Sequence, residues 1–227
     1  MKNKNNISLK ILLSVIGLFI LGVGVSFTIQ SNLGTDPAST LELGVSKILN
    51  ISYGACAAIY NIILLTIIFF IDKKYINISS ILAIFIIGYT AEIFNFFLSF
   101  LNIQSMPYFV RILFCILGCF IISIGVTIYI FSDLGVGATD CIAEIISDKT
   151  KLSYRTIRII SDLLLVLSGF LIGGPVGLGT IIIAFFTGFF ISLSRKILYN
   201  LLKTLANNEK IEKINSDDDN FKKEIII

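Results

Sequence analysis

The chain has 227 residues, of which 56% are apolar and only 15% charged. An ordinary soluble domain carries roughly 25% charged residues, so most of this chain does not face water. The net charge of +3 comes from basic residues scattered over short segments rather than one patch, which argues against nucleic-acid binding. Histidine is absent, removing the usual proton shuttle near neutral pH and the commonest metal ligand. Cys56, Cys115, Cys119 and Cys141 have no paired metal spacing and read as small packing residues, so no metal or cofactor is expected.

Residues 1–8 form a polar, basic N-terminus, followed by an apolar run over 9–29. This run has the roughly 20 residues needed to cross a bilayer. Gly17 and Gly24 lie on one face of it, where small residues let helices approach closely. A polar break, Ser31-Asn32-Leu33-Gly34-Thr35-Asp36-Pro37, comes next. Asp36 as N-cap and Pro37 at the first helical position start a short amphipathic helix over 37–49, with Leu41, Val45 and Ile48 as its apolar stripe. It is too short to span and is either interfacial or re-entrant. Ser52 then caps a second span, 55–71, and a third follows over 78–101.

The pattern then starts again. Spans are predicted over 109–131, 157–173 and 178–201, with a second short helix from Thr139 to Lys149 and a disordered tail over 207–227. Gly17 matches Gly118, Gly24 matches Gly125 and Gly34 matches Gly135, each 101 residues apart. Ser52 matches Ser153 and Asn61 matches Asp162 at the same offset, and beyond one lost residue Ile81 matches Ile181 at 100. The chain reads as one unit written twice, over 9–101 and 109–201. Three spans per unit is an odd number, so the copies enter the membrane in opposite orientations. Inverted repeats of this kind are typical of transporters, whose sites lie near the midplane at discontinuous helices. The predicted fold is therefore an all-α membrane bundle of six transmembrane helices in two inverted three-helix repeats.

Of the 18 lysines and arginines, only Lys47 and Arg111 fall on one side of this arrangement. The positive-inside rule places both termini in the cytoplasm. No nucleotide-binding loop of the Walker type is present.

The ordered set Leu33-Gly34-Thr35-Asp36-Pro37, Ser52-Tyr53-Gly54, Lys73-Lys74-Tyr75-Ile76-Asn77-Ile78 and Ile87-Gly88 resembles the bacterial YczE/YyaS/YitT-type integral membrane proteins over roughly residues 9–200. The second copy departs from the Leu-Gly-x-x-Pro pattern at Ala138. The resemblance implies a multi-pass bacterial plasma-membrane protein and supplies no substrate.

Glu92 is the residue most expected to carry function. A charge at a helix centre costs roughly 2.5–3.5 kcal/mol on insertion scales, so it should face the bundle and find a partner. It is either a coupling carboxylate or a structural hydrogen-bond acceptor, for example for Asn61 or Asn95. Asn61 and Asp162 occupy equivalent positions, but Arg158 four residues before Asp162 makes a helical ion pair the preferred reading there. Asp140, Glu144 and Asp148 read as the solvated face of an interfacial helix. The helix starts at Asp36 and Thr139, beside Gly34 and Gly135, offer free N–H groups; the preferred arrangement lays both helices flat. With no nucleophile-and-base pair in view, an enzyme is not expected. The leading expectation is a transporter or permease-like protein for a small solute, in contact with the lipid bilayer. The alternative is a non-transporting scaffold or regulatory protein that binds lipid or a protein partner.

Overall fold

The structure, a computed structural model, describes residues 7–135, 137–187, 190–191, 193–194 and 196–197. Its contacts divide the chain into a unit of Met1–Ile191 and a second of Ser192–Ile227. The tail predicted over 207–227 and most of 188–201 lie outside the described residues. Everything below concerns the first unit.

The described elements are helical: α1 (Ile7–Ser31), α2 (Pro37–Leu49), α3 (Tyr53–Asp72), α4 (Ile78–Ser99), α5 (Tyr108–Phe131), α6 (Ala138–Lys149), α7 (Tyr154–Leu171) and α8 (Leu178–Thr187). Short 3₁₀ turns at Lys73–Tyr75 and Ile103–Ser105 precede α4 and α5. The starts are chemical. Asp36 Oδ1 accepts the Ser39 N–H at 3.1 Å with Pro37 behind it, Ser52 Oγ accepts Ala55 N–H, and Ser153 Oγ accepts Thr156 N–H. Chain reversals follow residues that tolerate left-handed backbone. Asn32 and Asp133 sit at φ 49° and 55°, then Gly34 and Gly135 at φ 99° and 100°.

Helices α1, α3, α4 and α5 are long and apolar enough to cross a membrane. Helix α7 has 18 residues but includes Arg155, Arg158 and Asp162, and α8 is described only as far as Thr187. Burial is inverted relative to a water-soluble bundle. Ser14, Ser26, Thr28, Ser31, Thr40, Ser80 and Ser123 are fully buried, while Phe70, Phe85, Phe97 and Phe109 are among the most exposed side chains. With apolar surroundings outside, burying a phenylalanine gains little, and small residues let backbones close up. Several buried hydroxyls are satisfied within their own helices, Thr28 and Ser31 donating to the carbonyls three residues back, Ser123 and Thr127 to those four back, while Ser14 pairs with Ser79 of α4 at 2.7 Å.

Helices α1 and α5 cross antiparallel through glycine. A Cβ on Gly17 would lie 2.9 Å from Gly125 O, and one on Gly24 would lie 2.9 Å from Gly118 O. Several contacts recur elsewhere with their partners exchanged. Ser79 N–H donates to Leu134 O at 3.2 Å, and Gly179 N–H donates to Leu33 O at 2.7 Å. Lys10 pairs with Asp133 at 3.0 Å, and Arg111 donates to the carbonyls of Ser31 and Asn32. In every case the two contacts are related by the sequence offsets of 101 and 100.

The short helices run alongside longer ones. Gly169 of α7 packs against Thr40 and Leu41, and Ile172 against Gly44, so α2 and α7 run in the same direction. In the other half α6 accompanies α3. Cys141 and Ile145 share a buried cluster with Leu65, Ile68 and Tyr75, and the Tyr75 hydroxyl donates to Asp148. Thr40, in the first turn of α2, thereby lies against Gly169 and Gly174 at the C-terminal end of α7, and Cys141, in the first turn of α6, donates to Tyr75 O just past the end of α3.

Candidate functional site

What the two first turns also meet is a group of charged and hydroxylated side chains. Arg158 of α7 donates to Asp140 in the first turn of α6 and, through Nε, to Asp162 Oδ2 at 3.2 Å. The Tyr129 hydroxyl of α5 donates to Asp140 Oδ2 at 3.3 Å. Tyr60 of α3 is hydrogen-bonded to Thr139 and lies within the fields of Arg158, Asp36 and Glu42. The charges of Arg158, Asp140 and Asp36 all reach Asp162. Five helices thus contribute to one polar locus. Asp140, Asp162 and Arg158 are 24%, 31% and 34% exposed, so the locus is only partly enclosed by protein. Asp162 Oδ1 is buried without a hydrogen-bond partner, an open acceptor inside an otherwise satisfied network.

Of the residues expected from sequence, Asp162 and Asp36 belong to this locus. Asp162 makes the ion pair with Arg158 that the i, i+4 spacing implied, and Asp36 is the cap of α2. Gly34 and Gly135 meet other residues. Gly34 packs against Gly177 and Thr180, and Gly135 against Asn77, at approaches that leave no room for a Cβ. Glu92 lies elsewhere: its Oε2 takes the Gly54 N–H at 2.9 Å, filling one of the free donors of the first turn of α3. Asn61 bonds back to Ala57 O of its own helix at 2.9 Å, and no hydrogen bond joins it to Asp162 or Glu92 among the described residues. Asn95 offers its backbone carbonyl to Gln30 at 2.9 Å, while its Oδ1 is buried and unpartnered.

Two sequence expectations change. The face of α6 is only partly solvated: Glu144 and Asp148 are exposed, but Asp140 turns inward to Arg158 and Tyr129. An acid in a first helical turn is favoured by the dipole, and here a cation from another helix adds to it. On α2 the buried face is Ser39, Thr40, Glu42 and Gly44, whereas Ile48 of the apolar stripe is 59% exposed. Small and polar residues fill the buried face, while Leu41 and Val45 are only half-buried and Ile48 is left to the surroundings.

Glu42 was not picked out by the sequence. It is buried on α2, and the Tyr53 hydroxyl donates to its carboxyl. Burial and the nearby Asp36 charge push its pKa up to about 8. Its equivalent in the second half is Ala143 and that of Asp36 is Gly137. The two halves therefore carry different charges on a shared frame. Spacing offers no cue to Arg158 meeting Asp140, because 18 residues and a chain reversal separate them. For Glu42 the available cue was its being the one acid within a helix too short to span, set between Leu41 and Leu43.

Comparison with known proteins places these features in a family context. The family described as "Family of unknown function (DUF6198)" matches residues 8–196. The chain is similar to "Uncharacterized membrane protein YczE" of Bacillus subtilis, at 28% identity over 179 residues, covering 78% of this chain and 81% of that protein. It is similar also to "Uncharacterized protein YyaS" of the same organism, at 28% over 168 residues, covering 74% and 83%. A third relative, an "Uncharacterized protein" of Haemophilus influenzae, is 28% identical over 167 residues, covering 74% of each chain. No solved structure matches.

Proposed function

Since the chain belongs to the DUF6198 family, which matches it from residue 8 to 196 and includes a relative described as a membrane protein, we propose that it is a membrane transporter or permease-like protein for a small solute, moved without chemical change. The observation that carries this reading is the convergence of the first turns of α2 and α6 on the Asp140–Arg158–Asp162 group. Charges taken into an apolar bundle are costly and are found where substrates or ions pass. Short helices whose N-termini point inward, next to unwound segments at Gly34 and Gly135, are the usual makers of midplane binding sites.

The exchanged contacts support two inverted repeats. A glycine pair in which position 17 meets 125 and 24 meets 118 is self-complementary under the repeat. This is the contact pattern of a two-fold axis crossing α1 and α5. With α7 and α8 as the fifth and sixth spans, both termini lie in the cytoplasm of a bacterial cell and α2 and α6 are re-entrant from opposite faces. Arg158 and Asp162 of α7 are then turned to the locus. Rocking of one repeat against the other would open the locus to either side in turn.

The test is a thermal-melting screen of the detergent-solubilised protein against small metabolites and ions, with Asp162→Asn in parallel. A ligand at a hundred times its Kd stabilises by about 2.7 kcal/mol. A ligand that raises Tm in the parent and loses that effect in Asp162→Asn, and is accumulated by proteoliposomes, supports the reading. Ligands that never enter proteoliposomes, or stabilise Asp162→Asn equally, would place the protein among membrane scaffolds.

A further inference from the structure

Glu42 is the one deeply buried carboxyl of the described residues that the locus above does not use. It is 5% exposed, and no lysine or arginine among the described residues acts on it. A carboxylate held there without a cation is costly, so its own ionisation becomes the adjustable quantity. Its surroundings supply a short hydroxyl relay that runs from Ser39 Oγ through Tyr53 to the carboxyl, with Asp36 beside it bonded to the Ser39 backbone N–H. The Tyr53 hydroxyl donates to the carboxyl and lies 2.9 Å from Ser39 Oγ. Ser39 in turn gives its N–H to Asp36 Oδ1 at 3.1 Å, and Asp36 also accepts the Thr35 hydroxyl at 3.2 Å. Residues 36, 39 and 42 are three apart, so they form one ridge of α2 leading from the half-buried Asp36 inward. Hydroxyl groups both donate and accept, so the Ser39–Tyr53–Glu42 chain can point in either direction. With Glu42 ionised, the hydroxyls donate toward it; with Glu42 protonated, it can donate and the hydroxyls reverse.

We propose that Glu42 is a reversible proton-binding site, loaded and unloaded through the hydroxyls of Tyr53 and Ser39 beside Asp36. The ligand is a proton, and the step is uptake of H⁺ by the carboxylate and its release, with no bond to any other group. The groups facing it are Asp36 on α2 and Tyr53 on α3; its own field extends to Cys56 and Tyr60 of α3. From α7, Arg158 pairs with Asp140 and Asp162, and Asp162 feels the Asp36 charge, while Glu92 of α4 is held by Gly54 N–H. Asp36, whose charge disfavours ionisation of Glu42, also acts on Asp162. It therefore links the proton site to the solute locus. A role in coupling transport to a proton gradient rests on the transport reading above; proton binding at Glu42 does not.

The experiment is an infrared titration of the purified full-length protein, following the protonated-carboxyl stretch from mildly acidic to alkaline pH. Expected is a band that Glu42→Gln removes, Glu92→Gln retains, and the parent loses as pH rises through the neutral to mildly alkaline range. Two variants move its midpoint in opposite directions. Asp36→Asn, which keeps an N-cap, lowers it by removing the neighbouring charge. Tyr53→Phe raises it by removing a donor to the carboxylate. A spectrum unchanged by Glu42→Gln, a Glu42 band that does not titrate, or midpoints unmoved in both variants would overturn the proposal. Solute accumulation in proteoliposomes, measured separately, judges the transport reading: titration without accumulation leaves the proton site standing and removes transport.

Discussion

Gly125→Ala tests the α1–α5 crossing on which the rest of the bundle hangs. A Cβ built there lies 2.5 Å from Leu21 N, 2.7 Å from Gly17 O and 2.8 Å from Leu21 Cα. All three neighbours are backbone, so no side chain can rotate away. Reaching an ordinary contact of about 3.4 Å requires the helices to part by about 0.9 Å, and a gap of that size forfeits a quarter to a half of each dispersion contact along the seam. Overpacking of this kind costs about 1–3 kcal/mol, and the absence of yielding atoms puts it at the upper end. For a chain of this size that is a fall in Tm of about 6–12 °C. The assay is thermal unfolding of the detergent-solubilised protein, with Gly137→Ala as control. Gly137 has φ −64° and nothing nearer its Cβ than Asp140 Oδ2 at 3.9 Å, so it should melt like the parent. The Gly17→Ala, Gly125→Ala double variant should lose less than the sum of the singles, because one separation makes room for both methyls. A Gly125→Ala protein that melts within about a degree of the parent, or no lower than Gly137→Ala, would mean that α1 and α5 do not meet backbone to backbone at this glycine.

Three further outcomes follow from the same geometry. Glu42 binds a proton up to about pH 8 when folded against an ordinary value of 4.5, so the folded state holds the extra proton between these limits and stability falls as pH rises through them. The slope is about 1.4 kcal/mol per pH unit and the total on the order of 5 kcal/mol. The Tm advantage of Glu42→Gln over the parent should grow from about pH 4.5 and level off above about pH 8; a constant difference across this range would sink the assignment. Arg158→Gln leaves Asp140 and Asp162 without their shared cation and should cost about 1–2 kcal/mol, discounted for the exposed third of the guanidinium, with much of the loss recovered by adding Asp162→Asn. Val176 lies in the α7–α8 turn and is 39% exposed. Six spans put Val176→Cys within reach of a membrane-impermeant thiol reagent on intact cells, whereas four spans would shield it and leave Ser105→Cys as the labelled control.

Local chemistry was legible from the chain itself. Asp36-Pro37, Ser52 and Ser153 start helices where they stand because a side-chain oxygen satisfies an N–H that nothing else nearby can. The four long apolar runs are helices because a bilayer tolerates only internally bonded backbone. The paired glycines at 17, 24, 118 and 125 were recognisable as a close-packing face, and that is where α1 and α5 meet. Even the Arg158–Asp162 pair was readable, since both residues lie on one helix four apart.

Tertiary structure decided which partner each polar group found. Glu92 stands out in the sequence more than Asp162, yet Glu92 accepts the Gly54 N–H at the start of α3 and Asn61 turns back on its own helix, because only packing determines which donors lie within 3 Å. Asp140 reaches Arg158 and Tyr129 through a chain reversal that no spacing rule anticipates. The buried face of α2 went the same way. Its apolar stripe, read by the rule for water, names Leu41, Val45 and Ile48, but in a bundle with apolar surroundings the interior selects small and polar residues. Composition and periodicity are properties of one segment, and those the chain determined by itself. Which of two faces is inside, and which charges meet, depends on what surrounds the segment, and only the assembled bundle supplies that.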